Sequence, residues 1–268
     1  MPRSLRNALR APAKTIARGS AKIRYCLGGV ETLEIRPGWR VRCHPLSRLL
    51  FEVFVTDPEQ RAELDDFVAN CEPGMRLLDV GAHWGFFSLA ALHFGGPKAR
   101  ALAVEASPDA AKILAINLRM NGVTDRVALV QAAAGSGAGT LQMLTTGAGG
   151  ADYFVVPSEG RSDTITVPQV ALSDLCAERQ FWPTHVKVDV EGFEEEVLCG
   201  VDSLVQKRRP IIFLELHGDL IRRRHKDPRA VLEQLSAWQY RCFQRGMEMT
   251  EANLNAIGFN ARMACRPL

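Results

Sequence analysis

The 268-residue chain has no apolar run near the ~20 residues that a bilayer-spanning helix requires. It has no Cys-x-x-Cys pair. Its seven cysteines, at 26, 43, 71, 176, 199, 242 and 265, are odd in number and scattered. That pattern indicates neither a zinc cluster nor a disulfide framework, and it points to a reducing, cytoplasmic setting. Cys199, inside Val197-Leu198-Cys199, reads as a buried hydrophobe. Net charge is only +3, so nothing in the balance demands nucleic acid. No internal repeat, second domain or secretory apolar stretch stands out.

Acidic residues are absent from positions 1–30. Arg6, Arg10, Lys14, Arg18 and Lys22 recur there every four residues, with Leu5, Leu9, Ala13, Ile16 and Ile23 on another sector. Pro12 would kink such a helix. Three readings stay open for this arm. It is a solvated or loosely docked extension, a weak contact with an anionic membrane surface or glycan carrier, or an organelle transit peptide.

What is present fits one soluble α/β domain, with 47% hydrophobic and 24% charged residues. Val30–His44 alternates around Pro37-Gly38 and predicts a hairpin. Asp57-Pro58 and Ser107-Pro108 are cap-then-proline helix starts, and Gly122 closes the second helix after Asn121. Strands are expected near 77–80, 102–106, 126–132, 185–190, 211–217, 240–244 and 260–265. Gly135–Gly150, rich in Gly, Ala and Thr, reads as a hairpin or mobile loop. Strands alternating with helices predict a Rossmann-like, doubly wound, mostly parallel sheet covered on both faces. The expected division is a basic arm over 1–28, a hairpin and lead-in over 29–56, and the domain over 57–268.

Leu77-Leu78-Asp79-Val80-Gly81-Ala82-His83-Trp84-Gly85 is the most informative stretch. It reads as a buried strand, a glycine turn and a helix start, one half of a nucleotide-binding βαβ unit. Gly81 permits the turn, and Gly85 is expected to keep the first helical turn close to a ligand. The next strand, Leu102-Ala103-Val104-Glu105-Ala106, ends in an acid placed to accept from both hydroxyls of a ribose. The glycine spacing is G-x-x-x-G, and Ala82–His83 fill the place where a dinucleotide fingerprint needs glycine. S-adenosylmethionine therefore fits better than NAD. Asp79, Gly81, Ala82, His83, Gly85, Glu105 and Ala106 are the candidate cofactor residues.

Four stretches resemble the FkbM-type S-adenosylmethionine-dependent methyltransferases, over about Glu63 to Met263. They are Leu78 to Gly85, Val104-Glu105-Ala106-Ser107-Pro108, Val186-Lys187-Val188-Asp189-Val190-Glu191-Gly192, and Ile211 to His217. The Lys-x-Asp-x-Glu-Gly pattern of the third is the most specific. Where the family usually has Asn, this chain has His83. The resemblance implies a class I methyltransferase-like fold and O-methylation of a carbohydrate, glycan or secondary metabolite.

The third and fourth stretches also carry the chemistry. A buried parallel strand normally reads as continuous apolar residues, yet both end in ionisable groups where ligands bind in open α/β sheets. Alternation places Lys187, Asp189 and Glu191 on one side, and Glu215 with His217. A hydroxyl acceptor must lose its proton as the methyl bond forms. Asp189, Glu191 and His217 are the candidate bases, His217 having the best-suited ordinary pKa, with Lys187 in support. Glu215 reads as a structural partner. A rival arrangement has Asp189, Glu215 and His217 holding a divalent cation that chelates a diol, but the spacing is unspecific and no metal is assigned. The run Arg222-Arg223-Arg224-His225-Lys226 is a solvated face, or else a border of the acceptor pocket favouring an acidic substrate. An NAD-dependent oxidoreductase and an idle binding module remain the alternatives.

Overall fold

The computed structural model describes residues 19, 20, 23, 24, 26, 28–144, 164–256 and 260–268. Most of the expected basic arm, and residues 145–150 of the expected loop, lie outside them.

The hairpin forms as read. β1 (Glu31–Arg36) and β2 (Trp39–Cys43) pair antiparallel through Pro37-Gly38, with Gly38 at φ +81. The lead-in folds into α1 (Pro45–Phe51) and α2 (Val53–Thr56). Phe51 and Phe54 are buried, and Phe54 stacks on Phe86 at 3.8 Å. Asn117 adds a buried tie: its Oδ1 accepts from His44 N at 2.8 Å, and its Nδ2 donates to Ser47 Oγ and Trp84 O. The hairpin and lead-in thus share the core of the main domain. α3 (Pro58–Ala69) starts as its sequence dictates, with Asp57 Oδ1 accepting from Glu59 N and Gln60 N.

The βαβ unit follows: β3 (Arg76–Val80), α4 (Phe86–Phe94), β4 (Arg100–Val104), α5 (Pro108–Met120) and β5 (Val127–Val130). A small sheet of β6 (Ala133–Gly135), β7 (Gly139–Leu144) and β8 (Thr164–Ala171) has order β6-β8-β7. Residues 139–144, in the stretch expected to be a hairpin or mobile loop, form a strand paired antiparallel with β8. Its partner β8 has no counterpart in the expected elements, nor has α6 (Leu172–Glu178) after it.

The chain returns through β9 (His185–Val188), α7 (Glu194–Arg208), β10 (Ile211–His217), α8 (Gly218–Arg223), α9 (Arg229–Ala237), β11 (Tyr240–Gln244), β12 (Met247–Glu248), α10 (Glu251–Ala256) and β13 (Asn260–Pro267). The main sheet has order β12-β11-β13-β10-β9-β3-β4-β5. From β10 to β5 every pairing is parallel, and β13, β11 and β12 add an antiparallel flank. Alternation splits the core. Leu77 belongs to a layer with Phe51, Phe67, Phe87 and Phe213, whereas Leu78 and Val80 belong to one with Val186, Val188, Leu198 and Leu214. No helix among the described residues is long and apolar enough to cross a membrane.

Two cysteine readings are corrected. Cys242 and Cys265 stand directly opposite on antiparallel β11 and β13 and form a disulfide. Sequence spacing could not show a bridge that sheet register creates. Cys199 is exposed, on the outer side of α7, while its neighbours Val197 and Leu198 are fully buried.

Candidate cofactor and acceptor site

Growth of the sheet reverses at β3, with β4 and β5 on one side and β9 and β10 on the other. Ligands in open α/β sheets bind outside the carboxyl ends of strands at such a point. A cavity of about 310 Å³ opens there, reaching from Glu105 and Ala106 past Asp79–Trp84 to Lys187, Asp189, Glu191 and Glu215. Leu50, Phe54 and Gln60 from α1–α3 and Leu141 and Met143 from β7 complete its walls.

At one end the glycine turn does what only glycine allows. Gly81 has φ +75, and a Cβ there would lie 1.8 Å from Asp189 O. His83 follows at φ +48, a conformation that Asn, Asp and His tolerate better than other side chains. The family's Asn at this place suits the same backbone. Burial lowers the His83 imidazole to about 4, so its ring, stacked 4.3 Å from Trp84, is uncharged. Gly85 corrects an expectation. It caps α4 at φ +83, and an added Cβ would meet Leu114 Cγ at 3.0 Å. It serves the contact between α4 and α5 and does not line the cavity.

Glu105 faces the cavity and is 7% exposed. Its Oε2 accepts from His83 N and its Oε1 from Ser107 N, each at 2.7 Å. Burial raises its carboxyl to about 7 against the pull of those two N–H groups. Each oxygen keeps a lone pair for a ligand hydroxyl. Asp79 is raised to about 6 by burial, partly countered by Ser88 Oγ, which donates to it at 2.6 Å.

The other end is a charge network. Lys187, 1% exposed, lies 3.0 Å from Glu63, 3.6 Å from Asp189 and 3.9 Å from Glu215. Burial alone would lower its pKa, but those carboxylates raise it instead. Arg262 on β13 is in register with Glu215 and reaches both Glu215 Oε1 at 2.5 Å and Glu63 Oε2 at 2.9 Å. Burial pushes Asp189 up, but Lys187 and His217 hold it below the usual range. Glu215, crowded by burial and by Asp189, is raised to about 8.

His217 Nδ1 bonds Glu194 Oε1 at 2.8 Å. Its Nε2 faces Asp189 at 3.9 Å, Glu191 at 3.7 Å and Glu215 at 3.7 Å. Burial lowers the imidazole, but Glu194 and Asp189 outweigh it and raise it to about 9. A charged imidazole cannot take a proton, so the ordinary pKa that recommended His217 as the base does not survive folding. Extended geometry also stops at Val188; Glu191 turns at φ +51 before Gly192.

Glu63, Glu194 and Arg262 were missed by the sequence reading. Glu194, fully buried, also accepts from Gly192 N. The only trace in the chain was an acidic triplet, Glu194-Glu195-Glu196, which opens α7 and suits the helix dipole regardless of any site. The basic run divides: Arg222, Arg223 and His225 are exposed, as a solvated face would have them, and Arg224 and Lys226 are not. Lys226 lies 3.0 Å from Glu195 and 2.9 Å from Glu196, and Arg224 pairs with Glu196 and Gly192 O. Those two side chains tie the end of α8 to the start of α7 and are not offered to a substrate.

A doubly wound sheet with a glycine turn, a terminal acid and a polar crevice at its switch point defines a Rossmann-like domain of the nucleotide-cofactor class. The methyltransferase FkbM domain model matches residues 79–242, and the chain belongs to that family. The methyltransferase sdnD of Sordaria araneosa is 29% identical over 168 residues, covering 51% of this chain and 64% of that protein. The FkbM methyltransferase of Methylobacillus flagellatus KT superposes with a TM-score of 0.48 and 14% identity, covering 82% of this chain and 54% of that one. An O-methyltransferase of Bacillus cereus, solved with S-adenosylhomocysteine, has a TM-score of 0.42 and 12% identity, covering 82% and 96%. At such scores the fold rests on the sheet order itself.

Proposed function

We propose that the chain transfers a methyl group from S-adenosylmethionine to a hydroxyl of a carbohydrate, glycan or secondary metabolite. One observation carries the reading. A single cavity joins the Asp79–Glu105 turn to the Lys187–Asp189–Glu215 network, so a donor on the turn reaches an acceptor at the charges.

Glu105 would accept from the ribose hydroxyls, and the Asp79–His83 turn would hold the amino-acid end. The sulfonium supplies an activated methyl group. The protein then aligns the acceptor oxygen behind that carbon, which contributes up to roughly 7–11 kcal/mol, and a placed base adds about 10²–10⁴-fold. Asp189 is that base: Lys187 and His217 keep it ionised, and it lines the cavity. As the oxygen takes the methyl carbon, the sulfur keeps the bonding pair and the hydroxyl proton passes to Asp189. Glu191 orients the acceptor beside it, and the charged His217, behind the cavity wall, acts through Asp189 and Glu191.

The test begins with cofactor choice. S-adenosylhomocysteine should raise the melting temperature of the purified chain, and NADH should not; the reverse would make it an oxidoreductase. Methylated products lost on gene deletion and remade by the purified protein would then identify the acceptor. Normal biological function in Glu105→Ala with cofactor binding lost would mark a non-catalytic module.

A further inference from the structure

We infer that Glu194 is a positioning residue for methyl transfer: through the His217 ring it holds Asp189 and Glu191 at the acceptor. Neither Glu194 nor His217 lines the cavity, yet His217 lies directly behind two residues that do. Glu194, fully buried, has one oxygen that accepts from two groups at once. Its Oε1 takes Gly192 N at 3.1 Å and His217 Nδ1 at 2.8 Å. The first bond fixes the turn that follows Asp189, where Glu191 and Gly192 stand at φ +51 and +92. The second aims the ring. A single oxygen on α7 thereby joins the chain leaving β9 to the end of β10.

The groups that face the ring decide its protonation. An ionised carboxylate only accepts hydrogen bonds, so Nδ1 must donate to Glu194. A neutral ring with its proton there would turn a bare lone pair at Nε2 toward more acceptors. These are Asp189 Oδ1 at 3.9 Å, Glu191 Oε2 at 3.7 Å and Glu215 Oε1 at 3.7 Å. Glu215 Oε1 is already the partner of Arg262 on β13, and Lys187 on β9 lies beyond Asp189 and Glu215. Asn260 of β13, in register with His217, gives its amide to Asp219 of α8. The arrangement therefore suits the charged ring, with a proton on each nitrogen. Burial opposes that charge, but the Glu194 hydrogen bond and then Asp189 raise the imidazole to about 9. A charged ring draws Asp189 and Glu191 together. A neutral one would repel both, and Asp189 would face burial with Lys187 but without His217.

The role rests on the methyltransferase reading; the charged pair does not, and the experiment separates them. Glu194→Gln is the variant, because the amide oxygen can accept from Gly192 N and His217 Nδ1 as Oε1 does now. Its NH₂ takes the place of Oε2, which is buried and has no hydrogen-bond partner among the described residues. A merely structural role would therefore survive the change. Nuclear magnetic resonance of the full chain, labelled with ¹⁵N-histidine, reads the ring, and His217→Gln marks its signals. The parent should keep protons on both nitrogens up to about pH 9. Glu194→Gln should lower that titration by at least about one pH unit, a tenfold change in proton affinity. On the acceptor found by the product search, turnover should fall on the alkaline side in step with the ring, and at the lower pH in the variant. A parent ring that is neutral at pH 7 overturns the inference without any variant having to fold. So does a titration that Glu194→Gln leaves in place. An alkaline limb of turnover that does not follow the ring overturns the positioning role. Absence of S-adenosylhomocysteine binding, with the ring titrating as expected, would sink the methyltransferase reading and leave the charged pair standing.

Discussion

The two ends of the cavity are built on opposite plans. The cofactor end comes from one contiguous stretch, β3 to the start of α5, and answers its carboxyls with neutral donors. Ser88 Oγ meets Asp79, and two backbone N–H groups meet Glu105. The acceptor end gathers side chains from α3, β9, α7, β10 and β13 and answers charge with charge. A site held by backbone groups keeps its shape when one side chain changes. A buried ion network does not, because each member is needed to offset the others.

The sharpest test of that division is Asp189→Asn. Turnover should fall about 10²–10⁴-fold, the usual contribution of a placed base, while S-adenosylhomocysteine affinity holds. Steady-state kinetics beside calorimetry reads both. Equal losses in the two would show one indivisible site rather than two ends. Lys187→Met should instead act on the fold. It strands Glu63, Asp189 and Glu215 without their buried cation, and removing one partner of such a set costs about 3–5 kcal/mol. Urea unfolding measures it; a loss below about 1 kcal/mol, the scale of an exposed pair, would mean the network is solvated.

Glu105→Gln probes the other plan. The amide oxygen can still accept from one of His83 N and Ser107 N, but its NH₂ meets the other donor against donor, so one buried N–H is left unpaired. The variant also loses charge-assisted bonds to the ribose, which are worth about 1.5–3 kcal/mol. Calorimetry should therefore show S-adenosylhomocysteine affinity reduced roughly 10–100-fold, and thermal unfolding a loss of about 1–3 kcal/mol from the N–H left unpaired.

The same contrast explains what could be read from the chain. The Asp79–Gly85 turn, Glu105 and the bounds of β10 are local features, set by glycine conformation, strand alternation and residues near in sequence. Alternation also put Lys187 beside Asp189, and Glu215 beside His217. Glu63, Glu194 and Arg262 were hidden, because an acid on a helix and an arginine on a strand look the same solvated or buried. Only sheet register sets Arg262 against Glu215, and Cys242 against Cys265. Strand β8 was missed because its pairing with β7 is also a matter of register. The reading of His217 failed for a related reason: its ordinary pKa is a property of the isolated residue, and Glu194 and Asp189 reset it.

The smallest effect expected is one of pH at the cofactor end. Burial raises Glu105 to about 7, above its ordinary 4.5. For an acid raised in this way, the folded chain keeps a proton that the unfolded chain has released. The share of stability due to Glu105 therefore declines as pH rises from the ordinary value toward about 7, and changes no further above it. Cofactor affinity runs the other way, because ribose hydroxyls donate to the ionised carboxylate. Binding at pH 6 must first remove the proton, which weakens affinity about tenfold relative to pH 8. Asp79, raised to about 6, adds a smaller share over the same range. Calorimetry in buffers of different ionisation enthalpy should show proton release at pH 6 and almost none at pH 8. Glu105→Gln should flatten most of the profile. A profile as steep in that variant as in the parent would place the titrating group at the acceptor end, and the separation of the two plans would fail.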